Sequence, residues 1–287
     1  MNQLNLFIEL TRLKKPIGYM LLFWPCAWGL TLAYDFSNNL NIYFFYQFLF
    51  FLGSVLMRSA GCIINDILDR KFDKKVYRTK DRPIASGKIT VSLGLIYAGF
   101  LCVLAFLVLI NFNYFTILIA LASMPLAFTY PLMKRFTYWP QLFLGITFNY
   151  GLILGWTSIN SNINLVSLIF YFGAIFWTLG YDTIYGVQDI SDDEVIGVKS
   201  TAIKFKNNLN FFVISCYSLS SIAIILVMLN LNINYSLIFL GFFIFTLVYQ
   251  IKIFKIKKPS NCLKAFKINN WSGLMIFLSF FFLNFNI

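Results

Sequence analysis

Histidine is absent from this chain of 287 residues, which removes the commonest general base and transition-metal ligand together. Any metal it holds should be a hard, oxygen-seeking cation. Charge is scarce as well: Asp, Glu, Lys and Arg make up 12% of the residues, against roughly 25% in soluble globular domains. The five cysteines (Cys26, Cys62, Cys102, Cys216, Cys262) stand far apart with no C-x-x-C pair, so neither a disulfide framework nor a zinc site is expected. No ten-residue segments of alternating polarity suggest a membrane barrel. No soluble-looking stretch exceeds residues 65–91, so the chain reads as one membrane domain, 1–287, without a separate soluble one.

What is there is apolar: 59% of the residues are hydrophobic, in runs near the roughly 20 residues a membrane helix needs. Nine spans are predicted, at 17–34, 43–64, 92–112, 114–133, 139–158, 165–188, 209–230, 234–251 and 270–287, and the fold class is all-α. The first is read as a retained helix, because Trp24, Pro25 and Trp28 interrupt any leader-like pattern. The net charge of +12 does not point to nucleic acid. All basic residues but Arg58 lie in the N-terminus or in segments 65–91, 134–138, 189–208 and 252–268, while the alternate connections hold none. That separation fits nine spans with the basic side cytoplasmic, as in a multi-pass protein of a bacterial inner membrane. Arg58 falls inside the second span, where an arginine needs a partner or a water-filled cavity.

The acidic residues are more concentrated still. Nine of the eleven fall in 66–81 and 182–194, each at the cytoplasmic end of a span. Asn65, Asp69 and Asp73 recur at i, i+4, i+8, so a helix would carry them on one face. Asp182, Asp189 and Asp193 follow at spacings of seven and four. Two such oxygen-rich faces opposed across a cavity would repel unless cations sat between them. Mg²⁺ suits them, since it takes one or two carboxylates and completes its shell with water and phosphate. The implied substrate is a diphosphate. Arg78 and Arg82 follow the first cluster, and arginine grips phosphate oxygens in bidentate fashion. An aromatic-rich bundle would hold a hydrocarbon tail and, through ring faces, an allylic cation. Each feature also has a plainer reading: interfacial acids can balance nearby bases, Lys71, Lys74 and Lys75 are accounted for by topology, and most aromatics pack or face lipid.

At these clusters the sequence resembles the UbiA superfamily of membrane prenyltransferases, in its 4-hydroxybenzoate branch. The likeness is carried by Lys15-Pro16-Ile17-Gly18 through Trp24-Pro25, by Met57-Arg58 and Gly61-Cys62 through Asn65-Asp66, Arg82-Pro83 and Ser86-Gly87, by Tyr130-Pro131 and Lys134-Arg135, and by Tyr181-Asp182-Thr183 and Tyr185 through Gly197 and Lys199-Ser200-Thr201. The acidic motifs are common to the superfamily and speak for the chemistry; the K-P-I-G and Y-D-T-x-Y stretches speak for the ubiquinone-pathway branch. Lys14 departs from the Asp usual before K-P-I-G, and Ile84-Ala85 from a common Leu-Pro.

The resemblance implies nine helices around a central cavity open toward the membrane. It implies that Asn65, Asp69 and Asp73 hold one Mg²⁺ and Asp189 with Asp193 another, with Asp66 and Asp192 as further candidates. Arg58, Arg78, Arg82, Asp182, Tyr185 and Lys199 become candidates for substrate contact, Arg58 first of all for the acceptor carboxylate because it shares a helix face with Asn65. A structural pairing of Arg58 with Asp182 is the competing reading. The implied reaction transfers a polyprenyl chain from polyprenyl diphosphate to the ring carbon ortho to the hydroxyl of 4-hydroxybenzoate, within ubiquinone biosynthesis. The lipid bilayer is the only further partner expected, with no nucleic acid and no obligate protein. Two rivals remain: another aromatic acceptor, or an ion-coupled transporter whose membrane acids bind the transported cation.

Overall fold

A computed structural model describes residues 2–76, 79–231, 236–255 and 258–284. Its first helix, α1 (Gln3–Thr11), has no counterpart among the predicted elements. Leu6 and Leu10 are buried in a cluster with Ala60 and Ile63, so a segment too short to register in hydropathy is held by tertiary packing. α1 ends at Arg12, which takes the left-handed conformation (φ 56°, ψ 27°).

Then come α2 (Ile17–Ala33), α3 (Leu40–Leu68), the single turn α4 (Arg70–Asp73) and α5 (Val91–Leu109). α6 (Tyr114–Thr129) continues through a 3₁₀ turn at Tyr130–Leu132 into α7 (Met133–Phe136), ahead of α8 (Pro140–Thr157). α9 (Leu165–Gly186) gives way to a 3₁₀ turn at Val187–Asp189, then α10 (Ile190–Ile196) and α11 (Thr201–Lys204). α12 (Leu209–Leu229), α13 (Leu237–Ile253) and α14 (Pro259–Asn284) complete the described chain. Several starts are capped by side chains, as the sequence pattern favours: Asn113 accepts from Thr116 N, and Asn164 forms a reciprocal capping box with Ser167.

Among the described residues the fold is all-helical, with a helix on each predicted segment, but not all nine qualify as membrane spans by length and hydropathy. Six runs among the described residues are long and apolar enough to cross a bilayer: α3, α5, Tyr114–Phe136, Leu165–Ile196, α12 and α14, while α2 and α13 are apolar but shorter. α14 begins eleven residues earlier than the predicted 270. Lys264, Lys267, Asn269 and Asn270 depress its hydropathy there, yet Asn269 is fully buried and donates to Gln250, and Asn270 accepts from Trp24 Nε1 at 2.9 Å.

The predicted acidic faces are not continuous helices. α3 ends at Asp69 (φ −92°, ψ 1°) before α4 resumes. Arg135 Nη2 caps the end by donating to Leu68 O at 2.7 Å, a partner that helix C-termini need. The bonds Asp69 N to Asn65 O and Asp73 N to Asp69 O survive the break, so the row keeps its direction.

The core joins α2, α8, α9, α12, α13 and α14 around Trp28, Phe170 and Trp177. The Trp28 ring lies 5.7 Å from Phe170 and 5.2 Å from Trp177, and its Nε1 donates to Gly273 O. α2 and α8 approach closely because Gly29 and Gly155 have no Cβ: one added at Gly29 would stand 2.0 Å from Leu152 O, and one at Gly155 2.2 Å from Cys26 O. Small residues serve membrane helices in this way. Tyr217, Gln250, Asn269, Ser272 and Thr246 form a hydrogen-bonded network tying α12, α13 and α14, which satisfies polar groups that lipid cannot. Phe44, Phe48, Phe100, Phe211 and Phe245 are more than half exposed and form part of an outward apolar belt.

Candidate active site

A cavity of about 290 Å³ opens at the end of the bundle where α3, α7, α9 and α10 converge. Asn65, Asp69 and Asp73 line it from one side, and Asp182, Asp189, Asp192 and Asp193 from the other. The two acidic clusters, more than a hundred residues apart in sequence, thus share one space. Arg12, Arg82, Lys134, Tyr185 and Lys199 complete its charged and polar wall with Gln141 and Ser200.

The bases are not there merely for topology. Lys134 Nζ donates to Asp69 Oδ2, and Arg135 stands 3.8 Å from the other oxygen. Arg82 Nη1 bonds Asp73 Oδ2 at 2.9 Å. Lys199 N donates to Lys134 O at 2.8 Å and its Nζ to Phe136 O at 3.2 Å, joining the loop after α10 to α7. Thr201 N donates to Gln141 Oε1 at 3.0 Å, and Thr201 and Thr183 hydroxyls lie 2.7 Å apart, which fixes that loop against α8 and α9.

Among the described residues no three acidic side chains form a metal cage by themselves. A cation using one or two carboxylates plus water and phosphate needs none. Among the described residues the wall offers oxygen donors without a cysteine or histidine, and Asp69 Oδ1 is buried with no hydrogen-bond partner. The donor chemistry therefore fits a hard divalent ion.

Beside this polar space lies an apolar cavity of about 310 Å³ within α2, α3, α5, α6 and α8. Leu49, Phe50, Gly53, Ala105, Phe112 and Leu154 line its depth. Tyr130 is the one described residue that lines both cavities. Arg58, predicted near the acidic motif, lines the apolar cavity. Its guanidinium lies over the Phe148 ring at 5.3 Å, and among the described residues it has no ion pair within 4 Å. The structural pairing with Asp182 is therefore not formed.

The sequence model of the UbiA prenyltransferase family matches residues 22–281. The chain belongs to that family. This UbiA family member is 43% identical over 277 residues to a protein of Bos taurus named 4-hydroxybenzoate polyprenyltransferase, mitochondrial, covering 95% of this chain and 73% of that one. Its fold is shared with the apo structure of a UbiA homolog from Aeropyrum pernix (TM-score 0.76, 19% identity, 91% of this chain and 96% of that one). A UbiA homolog from Archaeoglobus fulgidus bound to GPP and Mg²⁺ also superimposes (TM-score 0.73, 18% identity, 98% and 100% coverage).

Of the described residues singled out in the sequence of this UbiA protein, the polar cavity collects all but two. Arg58 has moved to the apolar side. Asp66 is absent from the wall: its side chain is 3% exposed and its Oδ1 is bonded to Arg12 Nη2 at 2.6 Å and Arg82 Nη1 at 3.2 Å. Arg78 lies outside the described residues. Arg12 and Lys134 are wall residues that do not stand out in the sequence, because topology alone accounts for basic residues beside a span. Lys134 lay within a quoted family stretch; Arg12 carried no local signal beyond its place just ahead of α2.

Proposed function

We propose that this protein transfers a polyprenyl chain from polyprenyl diphosphate to the ring carbon ortho to the hydroxyl of 4-hydroxybenzoate, releasing diphosphate, in ubiquinone biosynthesis. The observation that carries the reading is the junction at Tyr130 of an oxygen-rich, base-ringed cavity with an apolar one. The former suits a diphosphate head and the latter a hydrocarbon tail. Identity over nearly the whole chain to a protein named for this reaction supports the acceptor.

Asn65, Asp69 and Asp73 would hold one Mg²⁺ and Asp189 with Asp193 a second, with Asp192 beside them at the rim. When bound, the ions neutralise charge on the diphosphate and make it a better leaving group. Arg82 and Lys134 line the same space and supply cationic donors to its oxygens. The allylic carbon–oxygen bond breaks, the electron pair leaves with the diphosphate, and the cation is kept from water by the apolar wall. The acceptor ring then forms the carbon–carbon bond and loses a proton. The substrate's own ring is the nucleophile, so no histidine or nucleophilic triad is required. Arg58 would receive the acceptor carboxylate, a reading supported by its place in the lining of the apolar cavity and by the lack of an ion pair among the described residues. Asp182, Tyr185 and Lys199 line the polar wall nearby.

The polar cavity would face the cytoplasm of a bacterial cell, supported by the confinement of basic residues to one set of connections. The Bos taurus relative carries "mitochondrial" in its name, so fractionation of the native cell is the test of location. The function is tested in membranes expressing the chain, given 4-hydroxybenzoate and a long polyprenyl diphosphate with Mg²⁺ or EDTA. Product should form with Mg²⁺ and disappear with EDTA or in the Asp69→Ala, Asp189→Ala double variant. Prenylation of a different aromatic acceptor alone would sink the acceptor assignment.

A further inference from the structure

Asp66 follows Asn65 directly, yet only Asn65 lines the polar cavity. The Asp66 carboxylate is buried outside that lining, and its Oδ1 accepts from Arg12 at 2.6 Å and Arg82 at 3.2 Å. Both of those arginines do line the cavity. Arg82 also reaches Asp73 Oδ2 at 2.9 Å, so one guanidinium ties Asp66 to the acidic row. Arg12 is, among the described residues, the one non-glycine at positive φ, a conformation that side chains with a Cβ avoid. That conformation ends α1, with Arg12 N donating to Glu9 O, and it accompanies the reach of the side chain to Asp66.

Two guanidiniums drawn to one carboxylate oxygen repel each other less than they would alone. Each has five N–H donors in a fixed fork, so engaging Asp66 leaves others to face the cavity. A metal ion at Asp66 would compete with both arginines for the charge of this one carboxylate.

We propose that Asp66 is a positioning residue and not a metal ligand: it fixes Arg12 and Arg82 as a paired cationic grip on the diphosphate, with Arg12 contributed by the segment ahead of the first membrane helix. The inference rests on the reading of the polar cavity as a diphosphate site. It makes the N-terminal segment part of the donor site, and it couples two arginines 70 residues apart through one buried acid.

The test is binding of inorganic diphosphate, with Mg²⁺, to the purified full chain and to its Asp66→Asn, Arg12→Gly and doubly substituted variants. Donor KM, kcat and the Mg²⁺ concentration for half-maximal transfer are measured alongside. Glycine accepts the left-handed backbone at position 12, so Arg12→Gly removes the guanidinium without adding strain, and Asp66→Asn keeps the shape. Each single change should weaken diphosphate binding about tenfold or more, in line with the loss of a charged hydrogen bond. Donor KM should rise more than kcat falls, the half-maximal Mg²⁺ should stay put, and the double variant should lose less than the product of the two. Asp66→Glu, which keeps the charge, should recover part of the affinity. A large rise in half-maximal Mg²⁺ for Asp66→Asn with normal diphosphate binding makes Asp66 a ligand and overturns the proposal. So does wild-type affinity in Arg12→Gly, or fully multiplicative losses. A wild-type chain that binds no diphosphate overturns the reading of the cavity along with the proposal.

Discussion

Lys134, in α7, donates to Asp69 at the end of α3, so a cation of the chain's own already sits on a carboxylate proposed to hold Mg²⁺. The pair keeps a 3%-exposed acid from standing alone before substrate arrives, a situation that is otherwise costly. Replacing Lys134 with Gln should therefore make the protein depend more on the ion for stability. In detergent, Mg²⁺ should raise the thermal midpoint of the variant more than that of the wild type, by mass action on the folded state. Donor kcat/KM should fall about tenfold or more. Equal midpoint shifts in both proteins would remove Lys134 from this role.

Arg58 lies against Gly18 so closely that a Cβ there would stand 2.9 Å from its Nε. Arg58→Ala should raise the KM for 4-hydroxybenzoate about tenfold to a hundredfold, the range for a charge-assisted hydrogen bond, and leave donor KM unchanged. Gly18→Ala should raise the same constant by less, because it displaces the guanidinium without deleting it. Steady-state kinetics with each substrate varied in turn reads both effects. An unchanged acceptor KM in Arg58→Ala would assign the carboxylate elsewhere.

The apolar cavity predicts a dependence on tail length. Gly53 lines it, and a Cβ at that position would meet only Val108 Cγ1, at 3.9 Å. Gly53→Leu should fill the space without disturbing the helices around it. Its kcat/KM for a long polyprenyl diphosphate should drop about tenfold or more, a pocket effect of ordinary size, and for geranyl diphosphate by less. Equal losses on the two donors would show that the tail does not reach Gly53.

The crossing of α2 and α8 predicts a stability effect remote from the acids. A methyl at Gly155 would lie 2.2 Å from Cys26 O and 2.6 Å from Leu30 N, against backbone that cannot swing aside. Gly155→Ala should cost about 1–3 kcal/mol, seen as a lower midpoint in detergent unfolding. A midpoint matching the wild type would mean the helices separate at little cost.

The long helices and both acidic clusters were legible in the sequence because hydropathy and charge are local properties. Asp69, Asp73, Asp189 and Asp193 could be assigned to one cavity from their spacing and their common position at span ends. The orientation of Asp66 could not, since it is decided by Arg12, 54 residues away. Lys134 finds Asp69 across 65 residues and Arg135 finds Leu68 O across 67, and no window of sequence contains both partners. α1 escaped notice because Leu6 and Leu10 matter only once Ala60 and Ile63 stand beside them. The break of α3 at Asp69 was hidden likewise, because the capping guanidinium of Arg135 comes from elsewhere in the fold.

Tyr130, the single described residue shared by the two cavities, marks a boundary between media as much as between residues. On one side lies the habitat of an ion and on the other that of an oil. A bond broken at that boundary leaves each fragment in the phase that dissolves it: the anion can depart to water and the lengthened ring to the bilayer. Sorting of products is then a consequence of where the substrate was cut, and the catalyst acts as a phase-transfer device that needs no separate export step.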